Sequence, residues 1–376
     1  MKIEQLIYKD GKFNNIPTLG IEADWILVFG SRSLIENNEI FDQLRTMYPT
    51  GYIMGCSSAG EIHNNYVSDN EMSITAIHFE KSHAVFKCFE INKANNYYDV
   101  GVNMMSSFDK EGLKHIFMLT EGIHINGSKL IQGMRSCYKG EIPITGGLAG
   151  DGSNFTKTAV IANDYAKENI IVLVGLYGQI KSGCGSCPGW NNFGIERVVT
   201  KAVDNILYEI DSKPALNLYK EYLGDSAQDL PSSGLRFPLS FRAKTSAESY
   251  VLSVQAIDEE NSSLIFKGDI PEDSYCRMMK SNISNIIESA QIAAELSTTM
   301  IATKKVELAI IVSCIARKYI LKQRVEEEIE VIRDFIGDSA IMTGYYSYGE
   351  IAPQKKDSLC QMHNQTMTIT LLSEED

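Results

Sequence analysis

One eight-residue spelling, G-x-x-S-x-G-E-I, occurs twice in this chain. It reads Gly55-Cys-Ser-Ser58-Ala-Gly60-Glu61-Ile62 near the start and Gly344-Tyr-Tyr-Ser347-Tyr-Gly349-Glu350-Ile351 near the end. The flanks agree as well. An apolar run precedes each, Trp25–Phe29 or Leu308–Val312, followed by a turn bearing Arg32 or Arg317. Next come apolar residues at helical spacing: Ile40, Leu44 and Met47, or Val325, Ile329 and Ile332. After the motif each copy ends in an alternating segment, Met72–Ile77 or Met367–Leu372, with the period of two that marks a strand. The repeated order is strand, helix, strand, glycine turn, strand. It predicts an internally duplicated mixed α/β fold whose sheets are flanked by helices.

A weaker third copy lies between them. His115–Thr120 predicts a strand, Asn126-Gly-Ser128 a helix cap, Leu130–Tyr138 a helix and Ile142–Thr145 another strand. Gly146-Gly-Leu-Ala-Gly150-Asp151-Gly152 then takes the place of the serine turn, before strands Thr158–Ala162 and Asn169–Tyr177. The middle of the chain changes character. Pro214–Tyr222 opens on proline, which suits a first helical position, and Gly224–Pro238 is loop-rich. Tyr250–Ile257 and Ser263–Lys267 predict a hairpin, and Ser281–Met300 a long amphipathic helix. A length of 376 residues fits two domains, which the change of character divides at 1–210 and 211–376.

Composition narrows the partners. Forty-eight acidic residues against 35 basic ones give a net charge of -13, which argues against a nucleic-acid partner. Eight scattered cysteines fit a reducing compartment better than a disulfide scaffold. The start, MKIEQLIYKDG, lacks a signal peptide's apolar core, and the apolar runs Ile170–Tyr177 and Leu308–Ala316 are too short to span a membrane. A cytoplasmic protein with no membrane partner is expected.

The turn GCSSAGEI, the segment GGLAGDG, the C-terminal GYYSYGEI and the closing HNQTMTITLLSE resemble, in that order, the signatures of FIST domains over nearly the whole chain. The resemblance implies a prokaryotic sensory module of paired N- and C-terminal halves, not an enzyme. It would bind a small ligand, an amino acid or similar. It would signal to a separate protein such as a histidine kinase, a cyclic-di-nucleotide enzyme or a chemotaxis receptor, since no output domain follows Asp376. It also implies an alternative, because some free-standing members bind haem and sense nitric oxide. Tyr250-Val-Leu-Ser departs from the pattern by lacking an expected arginine.

Catalytic readings fare poorly, though an enzyme of unknown class stays as a second alternative. A nucleophile elbow needs G-x-S-x-G leading into a helix, whereas position 59 is Ala, Ser347 sits one place late, and both turns lead to strands. Gly122–Lys129 misses the phosphate-loop order of lysine before serine. Cys184-Gly-Ser-Cys187-Pro188 lacks a second metal-ligand pair and a haem-attaching histidine, and reads as a loop whose thiols are redox-active or inert. The six histidines show no paired metal spacing. For haem, His363 is favoured as the one within the family motif.

Ligand contacts are expected in the last repeat: Arg317, Tyr346, Ser347, Tyr348, Glu350, His363 and Asn364. Arg317 follows a strand end, where open α/β sheets place ligands, and would grip a carboxylate while Glu350 takes an ammonium. The alternative is a structural Arg317–Glu350 ion pair. Ser57, Ser58, Glu61 and Asp151 are secondary candidates; the alternative is that the glycines permit a tight bend and Glu61 and Glu350 simply satisfy backbone N–H groups. On the ligand reading, Arg317→Ala abolishes binding and leaves the fold intact.

Overall fold

Gly55, Gly146 and Gly344 hold the same position in three equivalent sheets. The computed structural model describes all residues except 93–95, 139–141, 246–248, 272, 304, 354–357 and 375–376. In each sheet a central strand (Trp25–Gly30, Leu113–Thr120 or Leu308–Cys314) runs parallel to a second strand (Tyr52–Ser57, Ile144–Leu148 or Ile341–Ser347). The same central strand runs antiparallel to a third (Met72–His78, Ile170–Gly178 or Met367–Ser373). An outer strand, Lys2–Lys9, Ser82–Glu90 or Lys181–Cys187, pairs with that third one. Registers coincide. Val28 faces Gly55 and Ile74, Met118 faces Gly146 and Leu173, and Ile311 faces Gly344 and Ile369. The duplication expected from the two turns is therefore present, and the weaker third copy is a full repeat.

The glycines are required by close approach. A Cβ on Gly55 would lie 2.2 Å from the Val28 carbonyl oxygen, and on Gly146 or Gly344 1.9 Å from those of Met118 or Ile311. No side chain fits between these parallel strands.

The turns do something that hydrophobic periodicity does not encode. Glu61–His63 leaves its own repeat and pairs with Ile341–Ser347 of the third, placing Ile62 opposite Gly344. Gly349–Pro353 crosses to Ile144–Leu148 of the second, placing Ile351 opposite Gly146. Val160–Ala162 crosses to Tyr52–Ser57 of the first, placing Ile161 opposite Gly55. Each repeat lends one strand and receives one, in a closed ring. The loan covers a strand edge that would otherwise expose unpaired backbone groups.

Apolar faces of the three sheets meet in one core that holds Trp25 and Phe29, Phe117 and Val172, and Ile310 and Tyr345. Helix Asn38–Met47 packs Ile40, Phe41 and Leu44 against the first sheet's other face. Helices Gly127–Ser136, Ile283–Ile301 and Glu327–Ile336 share a further core with residues of the other two sheets.

Between Lys181–Cys187 and helix Ile283–Ile301, the third repeat carries an insertion of antiparallel strands running from Asn191 to Lys280. It has its own core, including Leu207, Tyr219, Phe241, Leu264 and Phe266. Val254–Asp258 and Ser263–Phe266 form the expected hairpin, and Pro214 sits at the N-cap position of helix Ala215–Leu223, one place before the expected first helical position. Residue 210 ends the strand Ile206–Ile210 inside this insertion, and segments from both sides of it share two of the three sheets. Cys184 and Cys187 lie on the regular strand Lys181–Cys187 rather than in the expected loop. Three residues apart, they point to opposite faces with Cα atoms roughly 10 Å apart, beyond the roughly 7 Å a disulfide tolerates.

Gly344→Ala tests the close approach. Overpacking of this kind costs about 1–3 kcal/mol or more, so the variant should unfold at clearly lower urea concentration than the parent. An unchanged midpoint would refute the packing argument.

Candidate functional site

Open α/β sheets bind ligands beyond the carboxyl ends of their strands. The two serine turns lie at such ends and are built alike. Ser58 Oγ donates to Glu61 Oε1 at 2.5 Å, and the Glu71 amide donates to Glu61 Oε2 at 3.3 Å. Ser347 Oγ donates to Glu350 Oε1 at 2.6 Å, and the Thr366 amide donates to Glu350 Oε2 at 3.0 Å. Glu71 and Thr366 each immediately precede a repeat's third strand, so each carboxyl ties a lent strand to the strand that follows it. Burial pushes both carboxyls up to about 8, against the pull of the serine and amide donors. Both serines donate to a carboxyl three residues on, and both turns run from strand to strand, so the nucleophile-elbow geometry is absent from these turns.

Arg317 sits elsewhere in the network than expected. It is fully buried in helix Ile315–Leu321. Its Nε and Nη2 donate to Glu328 Oε2 at 3.1 and 2.9 Å, Nη1 to Ser289 Oγ at 2.9 Å, and Nη2 to the Ile286 carbonyl at 2.9 Å. The Arg317–Glu350 ion pair is thus corrected to Arg317–Glu328. Tyr346 joins the same cluster, its hydroxyl donating to Glu328 Oε1, and Ser313 Oγ donates there at 3.3 Å. With its donors engaged and its side chain sealed from solvent, Arg317 has no free face for a ligand carboxylate.

The remaining candidates divide. Asp151 is 4% exposed and accepts from Thr156 Oγ1 at 3.0 Å, with Arg32 Nη1 at 3.3 Å. It thereby ties down the loop that follows Gly150. Tyr348 donates to the Gly152 carbonyl at 3.0 Å and stacks on Phe155 with ring centroids 4.4 Å apart. Ser57 Oγ accepts from the Ala159 amide at 2.9 Å, fixing another lent strand. His363 places Nε2 2.9 Å from the Ala352 carbonyl, and burial lowers its pKa.

That contact occupies the nitrogen that an axial haem ligand would need. His115 is enclosed in the core against Thr145 Oγ1, and His78 meets Asp24. His83 stacks on Tyr177 along an outer strand.

Asn364 is the expected residue with capacity left over. It is 3% exposed and its Nδ2 has no partner among the described residues. The adjacent Gln365, in the left-handed region at φ 66, donates from Nε2 to the Leu235 carbonyl at 3.0 Å and to Ser253 Oγ at 2.7 Å. Its Oε1 is likewise unpartnered. Leu235 and Ser253 belong to the insertion, so this link lies on the seam between insertion and three-sheet body. Further along the seam, Lys267 Nζ donates to the Gly122 carbonyl at 2.6 Å, and Asn126 Nδ2 to Asp269 Oδ1 at 3.2 Å.

Sequence reasoning missed Glu328, Gln365 and Lys267. Glu328 stands four residues before Ile332 on an amphipathic helix, a phase that places it beside the buried face.

Two outcomes follow. Arg317→Ala leaves Glu328 buried without its cation and should cost about 3–5 kcal/mol in chemical denaturation, instead of leaving the fold intact. A parent-like midpoint would reject that account. Glu350 holds its proton in the folded state between its ordinary value of 4.5 and about 8. Its contribution to stability is therefore complete below the lower value and is lost as pH rises towards the upper one. Glu350→Gln stays neutral and can keep both contacts, with its oxygen towards Thr366 N and its amide towards Ser347 Oγ. Its stability should fall less across that window, by up to about 1.4 kcal/mol per pH unit, in denaturation series at stepped pH. Parallel profiles would show that the acid is not held protonated.

Comparison with known proteins agrees with this architecture. The FIST N domain matches residues 24–213 and the FIST C domain residues 215–353. An uncharacterized protein of Methanocaldococcus jannaschii is 24% identical over 301 residues, covering 70% of this chain and 56% of that protein. The chain thus spans little more than half the length of this curated relative. The two domain matches meet inside the insertion of the third repeat, so the tandem arrangement and the threefold repeat describe the same polypeptide at different scales. The chain belongs to the FIST family, whose paired N and C domains are sensory domains of signal-transduction proteins.

Proposed function

We propose that this chain is a sensor that seats a small polar ligand at the seam between insertion and body, and reports it to a separate signalling protein. The observation that supports this reading is the pair of unpartnered amide atoms at Asn364 and Gln365. Leaving a buried polar group unpaired costs about 1–3 kcal/mol, and a ligand offering one acceptor and one donor would recover it. An amino acid or similar molecule has that complement.

Arg317, Tyr346, Ser347 and Glu350 then act from behind. Glu350 holds the Thr366 amide next to Gln365, and the Arg317 cluster fixes helix Ile315–Leu321 against helix Glu327–Ile336. The insertion joins the body through 188–190 and 281–282, short segments about which it could shift when the seam is filled. Such a shift is the change that a kinase, cyclic-di-nucleotide enzyme or receptor would read.

Calorimetry or thermal shift with an amino-acid panel tests this reading, using the parent and Asn364→Ala. A ligand of the parent should bind the variant about tenfold more weakly, since one hydrogen bond in a closed site is worth about 1.4 kcal/mol. Equal binding by both proteins would move the ligand away from this seam.

A further inference from the structure

The outer strands of the three repeats differ in what covers them. Along Lys2–Lys9 the chain itself returns. Lys12–Phe13 pairs with that strand, and Asn14 meets Ile7 through its amide at 2.9 Å and its Oδ1 at 2.8 Å. Against Lys181–Cys187 lies helix Ile283–Ile301. A Cβ on Gly185 would stand 2.0 Å from the Ala293 carbonyl oxygen, and the Cys184 amide meets Met300 Sδ at 3.3 Å. Ser82–Glu90 has neither cover and is the last strand of its sheet. The Ile91 amide donates to the Asn169 carbonyl and the Gln179 amide to the Lys81 carbonyl, so the odd-numbered residues between them bond to Ile170–Gly178. Ser82, Ala84, Phe86, Cys88 and Glu90 therefore turn their N–H and C=O groups outward, where no backbone group among the described residues meets them. Beside the strand opens a cleft of about 480 Å³, whose walls include His83, Val85, Lys87, Asp109, Glu111 and Tyr177.

We infer that this edge pairs with the same strand of a second copy, antiparallel about a twofold axis at Phe86, joining two six-stranded sheets into one. The outward residues are spaced symmetrically. Ser82 meets Glu90, Ala84 meets Cys88 and Phe86 meets its own counterpart, each pair exchanging both backbone bonds. No other register uses every outward residue. The side chains agree with it. Asp109 and Glu111 stand at the His83 end of the cleft, because Tyr177 stacks on His83 with centroids 5.2 Å apart and donates from its hydroxyl to the Asp109 carbonyl at 2.7 Å. Lys87 stands at the other end and makes no ion pair among the described residues. In this register the second copy's Lys87 falls opposite Val85, two residues nearer those acids. Each copy thereby offers a cation to the acidic wall of the other, once on either side of the axis. That charge match is a property of the strand's own sequence, which favours a second copy over an unrelated strand.

Sedimentation of the full chain over a concentration series tests the pairing, and the parent should associate to a dimer. Ala84→Pro removes one outward N–H and leaves the bonds to Ile170–Gly178 untouched. It should fold, by circular dichroism, and raise the dimer dissociation constant at least tenfold. Lys87→Glu should weaken the dimer to a similar degree, and adding Glu111→Lys should restore it. Val85→Cys combined with Lys87→Cys should give disulfide-linked dimers on mild oxidation, because the two positions face each other across the axis. If Ala84→Pro misfolds, Lys87→Glu and the cysteine pair still decide. A parent that stays monomeric at every concentration overturns the inference and gives the edge to a partner of another sequence. A dimer that Lys87→Glu leaves intact, with no disulfide in the cysteine pair, places the interface elsewhere and overturns it equally.

Discussion

Every sheet in the three-repeat body is completed by a strand it does not own. A parallel pair held only by its own repeat would end in unpaired backbone groups beside a glycine, the weakest place to leave an edge. The lent strands Glu61–His63, Val160–Ala162 and Gly349–Pro353 close those edges. Position within the ring decides what each turn must do. Where the chain leaves one sheet for another through a tight bend, a serine and a glutamate hold the bend shut. In the second repeat Val160 stands where Glu61 and Glu350 stand, and a longer loop tied down by Asp151 does the work instead.

The Arg317 cluster meets a different demand. Helices Ile283–Ile301 and Glu327–Ile336 both cross the third sheet, and the guanidinium joins them through Ile286, Ser289 and Glu328. Burying such a group carries a large desolvation penalty, which is offset here because partners are available on both helices. The pair and its hydrogen bonds link Ile286 and Ser289 of one helix to Glu328 of the other. The seam above it is the reverse case. There Asn364 Nδ2 and Gln365 Oε1 are left without partners among the described residues.

The sequence revealed contacts whose two ends are near each other along the chain. Ser58 with Glu61 and Ser347 with Glu350 are three apart, so the repeated spelling exposed them directly. The Arg317 partner was hidden because Glu328 stands in the run Glu326–Glu328, which resembles an ordinary acidic first turn on a solvated face. Alternation predicted the strands but not their neighbours, because a period of two says which face is buried and nothing about the sheet that receives it. Lys267 was placed at the end of a predicted hairpin. Its partner is a backbone carbonyl at Gly122, to which no residue type points.

The ring of lent strands also orders events during synthesis. Glu61–His63 leaves the ribosome early, yet its partner strand Ile341–Ser347 is made only after the second repeat, the insertion and helix Ile283–Ile301. At roughly 5–20 residues per second the wait is tens of seconds. Throughout it, a short strand tipped by Glu61 and half-exposed His63 has Tyr66–Ser68 on one side and lacks its neighbour on the other. Its shortness and its acid make it a poor template for pairing with another chain. The first repeat's own sheet can thus close once Val160–Ala162 is made, while the strand it lends waits for the third repeat.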